Sequence, residues 1–255
     1  MTLRGAPVDS LLVNIGGVIS YVGSEATVTN TSGRTAEVVL RTNDNNPGNG
    51  FGSFTGLLDG PAWRRIGHAN GVSSMTSTAD RLFALTNDGG VWSRPRSQVE
   101  VNWTLLERRA DFVAIEAVNE QLYAATTGDR LLTRPVTGGS WLDIGHANRV
   151  TALAGHGELL YATTSDGKLW KRDRVPHEVN WTVMATGIDP VRELTTTSSG
   201  SIYALGRDQR LRAMGPFGTQ FTDFGPVPQV VALARGLEGQ LFAATVDGHL
   251  LHGRS

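Results

Sequence analysis

A repeat of about 40 residues runs through most of this 255-residue chain and limits its possible folds more than any other feature. An aromatic residue marks every copy, at spacings of 40, 38, 40 and 40 residues: Trp63, Trp103, Trp141, Trp181 and Phe221. Each is followed, 19 to 21 residues later, by a short motif such as Leu-Tyr-Ala or Leu-Phe-Ala. A period of 20 to 50 residues is typical of solenoids, propellers and related repeat architectures.

Each copy of the repeat predicts four short β-strands. The segments are rich in Thr, Val, Tyr and Trp and are too short for helices. In three copies an Asp-Gly pair predicts a tight hairpin between the second and third strands, because such a turn requires positive φ: Asp88-Gly89, Asp166-Gly167 and Asp247-Gly248. Four antiparallel strands in each of five copies predict an all-β, five-bladed β-propeller. A solenoid is the competing architecture, but its units are usually shorter or contain a helix.

The phase of the repeat predicts how the blades are built. An apolar pair three residues apart marks the innermost strand of each blade, and the strand that begins with Trp lies outermost. The last copy starts at Val230 and ends after three strands, whereas the segment 63–66 has the sequence of an outer strand. We therefore predict that residues 63–255 form the five blades. Segment 63–66 would supply the missing fourth strand and close the ring, which leaves no open sheet edge.

Residues 1–62 differ in kind, because they lack the Leu-Tyr-Ala motif. Their alternating segments predict a small β-rich extension of three to five strands, which is near the lower size limit for an independent fold. We expect this extension to pack on the propeller or to serve in self-association or contact with a protein partner.

Composition and charge exclude several classes of function. The chain has no cysteine, which excludes disulfides, thiolate zinc sites and cysteine nucleophiles. Its 23 basic and 24 acidic residues form no basic stripe, which argues against nucleic-acid binding. No apolar run reaches 18 residues and no signal peptide is recognised, so we predict a soluble chain, cytoplasmic or released by a non-classical route. Nucleotide-binding motifs and closely spaced histidines are missing too, so no cofactor and no metal site are predicted.

The third copy carries a resemblance to a known family. It runs from Trp141-Leu-Asp-Ile-Gly-His-Ala-Asn through Leu160-Tyr-Ala-Thr-Thr-Ser-Asp-Gly-Lys-Leu-Trp to Val179-Asn180-Trp181. This unit resembles the repeat of the tachylectin-2-type five-bladed propeller lectins and, more loosely, the tectonin repeat. The resemblance covers residues 63–255. It implies a multivalent lectin with sugar pockets between neighbouring blades, which binds N-acetylated or other neutral sugars on glycans or glycoproteins.

Two copies match the loop that forms the family's sugar pocket. The matching residues of the first copy are Gly67, His68 and Asn70. Those of the third copy are Gly145, His146 and Asn148. The other three copies depart from the pattern, so the resemblance implies two sites. The alternative is that Gly-x-x-Asn closes a tight turn, because Asn tolerates a left-handed conformation.

The chemistry of these residues suits a sugar. Asn offers a paired donor and acceptor, neutral His offers one of each, and Gly lets the backbone approach a ligand closely. Propeller connectivity places this loop and the Asp-Gly hairpin on one face, so Asp88 and Asp166 are predicted to add carboxylate acceptors. Trp92 and Trp170 follow the hairpins of the same two copies and are predicted to line the same grooves, although packing between blades is the alternative for every Trp here.

Two other functions stay open. A propeller can be a protein-interaction module, with residues 1–62 as the part specific to a partner. It can also be a glycosidase, which needs two carboxylates about 5–9.5 Å apart in a pocket. Four candidates fall at or near inner strands, namely Asp111, Glu116, Asp189 and Glu193. The alternative makes the aspartates turn residues and the glutamates solvated, and we predict that the chain is not an enzyme.

Overall fold

The structure, a computed structural model, describes residues 64–96, 101–175, 180–197, 200–216, 218–227, 229–236 and 240–254, with six short strands between residues 2 and 54. Trp63, the first residue of the predicted closing strand, lies outside the described residues. The chain divides into two compact units: residues 1–64 with 253–255, and residues 65–252.

Six strands are described between residues 2 and 54 of the first unit. They are β1 (Thr2–Arg4), β2 (Ser10–Ile15), β3 (Val18–Val22), β4 (Glu25–Thr27), β5 (Glu37–Arg41) and β6 (Ser53–Phe54). Strand β1 pairs with β4, and the other four form a sheet in the order β3-β2-β5-β6. The role expected for residues 1–62 in self-association or partner binding stays a prediction.

The rest of the chain forms five four-stranded sheets, which are the blades. Blade 1 contains β8 (Val72–Ser77), β9 (Arg81–Thr86), β10 (Gly90–Pro95) and β11 (Thr104–Arg108). Blade 2 contains β12 (Phe112–Val118), β13 (Gln121–Thr126), β14 (Arg130–Pro135) and β15 (Leu142–His146). Blade 3 contains β16 (Val150–His156), β17 (Leu159–Thr164), β18 (Lys168–Asp173) and β19 (Thr182–Thr186). Blade 4 contains β20 (Val191–Thr196), β21 (Ile202–Gly206), β22 (Arg210–Met214) and β23 (Thr222–Pro226).

Blade 5 joins the two ends of the repeat region. It contains β24 (Val230–Arg235), β25 (Gln240–Thr245), β26 (His249–Arg254) and, at its outer edge, β7 (Arg64–His68). The order β24-β25-β26-β7 is the one that closure by segment 63–66 requires. The inner strands contact one another in sequence, and β24 contacts β8. The prediction of an all-β, five-bladed propeller of four-stranded antiparallel sheets is confirmed.

The hydrophobic core lies between blades, because each blade buries both of its faces. Alternate residues of a strand point to opposite faces of the sheet. In β9, Leu82 packs in a cluster shared with blade 5, whereas Phe83 packs in a cluster shared with blade 2, and both side chains are fully buried. In β13, Leu122 packs in the cluster shared with blade 1, and Tyr123 packs in a cluster shared with blade 3. This two-sided burial explains why the Leu-Tyr-Ala motif is apolar at every position.

All five hairpins between the second and third strands have one geometry. The loop has three residues. The N–H of the third residue donates to the carbonyl of the residue just before the loop, as Gly89 does to Thr86 at 2.8 Å. That third residue has positive φ in every blade: Gly89, Asp129, Gly167, Gln209 and Gly248. The turn is therefore a three-residue loop that ends in a left-handed residue. In the Asp-Gly pairs only the glycine takes positive φ, and the two copies without the pair use Asp129 and Gln209 in its place.

Gln209 gives a test of this turn. A left-handed backbone conformation destabilises a non-glycine residue by about 1 kcal/mol relative to glycine. Glycine loses more conformational freedom on folding, and this offsets part of that difference. We expect Gln209→Gly to raise the melting temperature by about 1–4 °C, measured by calorimetry. Asp129→Gly is the matched control, because Asp129 Oδ1 also accepts the Arg149 N–H at 2.8 Å, and losing that bond offsets the gain. A Gln209→Gly variant that melts lower than the parent would contradict the turn assignment.

Candidate functional site

A pocket of about 520 Å³ lies where the loop after β7 meets blade 1. The sequence Gly-His-Ala-Asn spans the last two residues of β7 and the first two residues of this loop. Its Ala69 is buried, and the Ala69 N–H donates to the Gly248 carbonyl of the blade 5 hairpin at 2.8 Å. This anchor holds the flanking His68 and Asn70 at the wall of the pocket. The cavity volume lies within the range of about 300–1,000 Å³ that is usual for small-molecule sites.

Two tryptophans form the apolar part of this pocket, which we call the Trp92 pocket. Trp103 Nε1 donates to the His68 carbonyl at 2.6 Å, and Trp92 Nε1 donates to Thr86 Oγ1 at 3.2 Å. The guanidinium of fully buried Arg94 lies 5.8 Å from the centre of the Trp103 ring. Because both indole N–H groups donate hydrogen bonds within the protein, the rings are held in place, and their carbon surfaces are what they offer to a ligand.

The polar side chains that line the Trp92 pocket include those of His68, Asn70 and Asn102. Asn70 and Asn102 are exposed, and His68 is half-buried. None of these side chains forms a hydrogen bond with another described residue, although the His68 carbonyl accepts from Trp103. Their donors and acceptors are therefore available to a bound molecule.

The third copy repeats this geometry in a second pocket of about 230 Å³, the Trp170 pocket. Trp181 Nε1 donates to the His146 carbonyl at 2.8 Å, and Trp170 Nε1 donates to Thr164 Oγ1 at 3.0 Å. The guanidinium of Arg172 lies 5.7 Å from the Trp181 ring, as Arg94 lies behind Trp103. The structure thus brings His146, Asn148 and Trp170 together, just as it brings His68, Asn70, Asp88 and Trp92 together.

The two predicted glycines lie outside the pocket linings. Gly67 has a φ of 153°, and a Cβ there would stand 2.6 Å from Arg94 Nη1. Gly145 has a φ of 121° and is buried. The missing side chain at Gly67 makes room for the buried arginine behind Trp103, whereas the sequence suggested room for a ligand.

The two predicted aspartates are engaged by the protein. Asp88 lines the Trp92 pocket, and the Thr86 hydroxyl, followed by the Arg108 guanidinium, lowers the pKa of Asp88 to about 2. Asp166 does not line the Trp170 pocket. It accepts hydrogen bonds from Lys168 Nζ at 2.6 Å and from Thr164 Oγ1 at 2.5 Å, and these lower the pKa of its carboxyl. Both carboxylates therefore stabilise their hairpins.

The lining residues not predicted from the sequence include Asn102, Trp103, Asn180 and Trp181. The two tryptophans do pack against the core between blades, as expected for the Trp series. They also form walls of the pockets, so the two roles are compatible. The signal was present in the stretch Val-Asn-Trp-Thr, which follows only the two copies that carry Gly-His-Ala-Asn.

Between blades 1 and 2, side chains fill the volume that is a pocket in the first and third copies. Phe112 stands where Val72 and Val150 stand in the pocket copies, and its ring meets Trp141 edge-on with centroids 5.0 Å apart. Trp141 Nε1 donates to Glu107 Oε1 at 2.8 Å, and Glu107 forms an ion pair with buried Arg134. The larger aromatic ring occupies the volume that valine leaves open.

A third pocket, of about 310 Å³, lies between blades 3 and 4, in a copy whose loop departs from the family pattern. Arg212 stands there in place of Trp92 or Trp170, and Phe221 in place of Trp103 or Trp181. The Arg212 guanidinium binds Asp189 at 2.8 Å and Asp208 at 2.6 Å. This pocket therefore has the position of the other two but lacks their pair of tryptophan rings.

The glutamates of the inner strands are buried, so the expectation that they are solvated is wrong. Glu116 and Glu193 are 4% and 1% exposed. Thr76 Oγ1 donates to Glu116 at 2.8 Å, and Ser74 Oγ donates to Glu193 at 3.2 Å. Burial raises the pKa of Glu116 to about 7. Burial, and then the charge of Glu116, raise the pKa of Glu193 well above its ordinary value.

The aspartates near the inner strands have ordinary structural partners. Asp111 accepts two hydrogen bonds from Arg109 at 2.8 and 2.9 Å, which lower the pKa of the Asp111 carboxyl. Asp189 pairs with Arg212 at the third pocket. Neither aspartate is paired with Glu116 or Glu193 in the part of the chain that the structure describes.

Comparison with solved structures supports the fold. The WD40 β-propeller domain of Doa1 is similar with a TM-score of 0.53, 11% identity, and coverage of 75% of this chain and 96% of that one. The gluconolactonase XC5397 of Xanthomonas campestris has a TM-score of 0.49, 10% identity and 69% coverage of each chain. YCF48 bound to D1 peptide has a TM-score of 0.46 and 13% identity, with 72% of this chain and 63% of that one covered.

The comparisons with sequences add no family. No protein-family profile matches the chain, and neither does any curated protein. Among the residues that the structure describes, no helix is long and apolar enough to cross a membrane. Fold and site together define a five-bladed β-propeller with related pockets between its blades.

The buried glutamates predict how stability depends on pH. A carboxyl whose pKa is higher in the folded than in the unfolded chain stabilises the folded state. Its contribution is complete at pH values below the pKa of the unfolded chain, near 4.3, and is lost as pH rises through the pKa of the folded chain. Glu193→Gln stays neutral at every pH. We expect the melting temperature of Glu193→Gln, relative to that of the parent, to increase as pH rises from 5 to 9.

Thermal melts at several pH values test this expectation. Glu120→Gln is the control, because it makes the same substitution at a carboxyl that is exposed in a turn. A difference between Glu193→Gln and the parent that stays constant from pH 5 to 9 would show that Glu193 titrates normally.

Proposed function

We propose that this protein is a non-catalytic carbohydrate-binding protein, as its resemblance to tachylectin-2-like and tectonin-like propeller lectins implies. One observation carries the proposal: two equivalent pockets each combine two tryptophans, whose N–H groups the protein holds, with His and Asn side chains that have no partner among the described residues. A pyranose ring presents C–H groups to an aromatic face and hydroxyls to planar donors and acceptors, and both requirements are met here.

The charges of the pockets favour a neutral sugar. Asp88 is ion-paired with Arg108 and is not available to balance a charged ligand. The two arginines nearest the tryptophans, Arg94 and Arg172, are buried behind the rings at Trp103 and Trp181. N-acetylated or other neutral sugars on glycans or glycoproteins fit this environment. Two pockets on one chain would make the binding multivalent.

Absence of catalysis is part of the proposal. The carboxylates that glycosidase chemistry would use, Glu116 and Glu193, are almost fully buried, and neither lines one of the three pockets described above. Their hydrogen bonds to Thr76 and Ser74 support a structural role in joining inner strands. Release of reducing sugar from an oligosaccharide, lost in Glu193→Gln, would contradict this part.

A glycan array followed by calorimetry on the intact chain tests the lectin proposal. We expect binding to a defined set of neutral glycans. The double variant His68→Ala with His146→Ala should bind at least about tenfold more weakly, because each pocket loses a donor and an acceptor. His156→Ala is the matched control, since His156 ends β16 outside all three pockets, and it should bind like the parent. No glycan signal, or equal binding by the double variant, would refute the proposal.

A protein-interaction module is the second candidate, and exposed apolar side chains favour it. Leu142, Val183 and Phe224 lie on the outer strands of blades 2, 3 and 4 and are 54%, 41% and 54% exposed. Outer strands form the rim of the propeller, away from the buried strands, where a partner protein could cover them.

Replacement of these three side chains by serine separates the two functions. If the chain is an interaction module, the triple variant should lose binding to its partner protein at least about tenfold, because the interface loses its apolar anchors. Glycan binding should be unchanged, which titration of the same preparation checks. A triple variant that loses glycan binding and remains folded would instead place the sugar on the rim.

A further inference from the structure

The Trp92 and Trp170 pockets share a scaffold but differ more than twofold in volume, about 520 against 230 Å³. Their tryptophans and histidines correspond one to one, and Asn70 and Asn102 correspond to Asn148 and Asn180. The difference must therefore come from neighbouring positions where the two copies carry different residues. The hairpin and the first residue of the third strand are such positions.

Gly90 begins the third strand in blade 1, and Lys168 begins it in blade 3. The indole of Trp92 lies directly over the Gly90 backbone, because a Cβ at Gly90 would stand 2.3 Å from Trp92 Nε1. A side chain at position 90 would therefore contact the Trp92 ring. Lys168 carries a side chain at the matching position of blade 3, where Trp170 Nε1 keeps the equivalent hydrogen bond to Thr164 Oγ1 at 3.0 Å.

The lysine also changes the use of the hairpin carboxylate. In blade 3, Lys168 Nζ holds Asp166 at 2.6 Å and lies 5.7 Å from the centre of the Trp170 ring. In blade 1, the residue paired across the strands with Gly90 is Arg108, and its guanidinium binds Asp88 from the outer strand. The ammonium group therefore lies beside the ring in blade 3, whereas no side chain of residue 90 lies beside Trp92.

The hairpin of blade 1 consequently forms part of its pocket. Asn87 and Asp88 line the Trp92 pocket, and Asp166 does not line the Trp170 pocket. The Trp92 pocket thus extends from the two indole rings onto a polar arm formed by Asn87 and Asp88. A second sugar unit needs such an arm, because hydroxyls on the next ring require their own donors and acceptors.

We propose that the residue at the start of the third strand, Gly90 or Lys168, sets the length of the glycan that each pocket accepts. The Trp92 pocket takes at least two linked sugar units, with the second unit on Asn87 and Asp88. The Trp170 pocket takes a single terminal unit. This inference rests on the proposed carbohydrate-binding function and adds to it a specificity-determining position.

The test uses the full chain and titrates N-acetylglucosamine and its β1,4-linked disaccharide by calorimetry. Trp170→Ala leaves the Trp92 pocket to be measured alone, and Trp92→Ala leaves the Trp170 pocket. We expect the disaccharide to bind about tenfold more tightly than the monosaccharide in Trp170→Ala, and equally in Trp92→Ala. If either variant fails to fold, as judged by circular dichroism, the exposed pair His146→Ala with Asn148→Ala closes the Trp170 pocket. His68→Ala with Asn70→Ala closes the other.

Exchange of the two residues then tests the cause. Gly90→Lys in the Trp170→Ala background should reduce the tenfold preference to about one, and Lys168→Gly in the Trp92→Ala background should raise it above one. Equal preferences in both pockets, or preferences that the exchange does not move, would overturn the inference and leave carbohydrate binding intact. Absence of binding by either sugar to the parent chain would overturn the inference, and absence of any signal on the glycan array would overturn both.

Discussion

Burial of both faces of every blade is the constraint on which the rest of this structure depends. A four-stranded sheet that is apolar on one face can be stable with water on the other, but a blade of this protein has no such face. Leu82 packs against blade 5 and Phe83 packs against blade 2, so blade 1 alone cannot bury either side chain. The contact between β24 and β8 completes this chain of dependence, because without it two blades would expose apolar faces.

The pockets are local exceptions to that packing, and their positions follow from it. Each lies between two neighbouring blades where the inner strand begins with a valine, namely Val72, Val150 or Val191. Phe112 fills this gap against Trp141, and Val72 does not fill it against Trp103. The hydrogen bond from Trp103 to the His68 carbonyl ties the two outer strands together across the open space. The scaffold therefore keeps a pocket at the same position while its lining residues vary.

The fold could be predicted because its information is local and repeated. Strand number, blade order and the pairing of Gly-His-Ala-Asn with a tryptophan after the hairpin all depend on spacings within one copy. What could not be predicted depends on contacts between distant residues. The role of Gly67 is set by Arg94, and the burial of Glu193 by Ser74, which is 119 residues away in sequence. The third pocket escaped prediction because Arg212 occupies the position where a tryptophan was sought.

This arrangement separates stability from recognition. Inner strands carry the small residues and buried carboxyls that hold the ring, and substitutions there act on all neighbouring blades at once. Residues at the rim of a pocket, such as Gly90 and Lys168, touch one hairpin and one tryptophan. A repeat protein of this kind can change the lining of one pocket while the other pockets and the core stay as they are. Differences between copies of the repeat therefore alter single pockets, and the shared residues carry the fold.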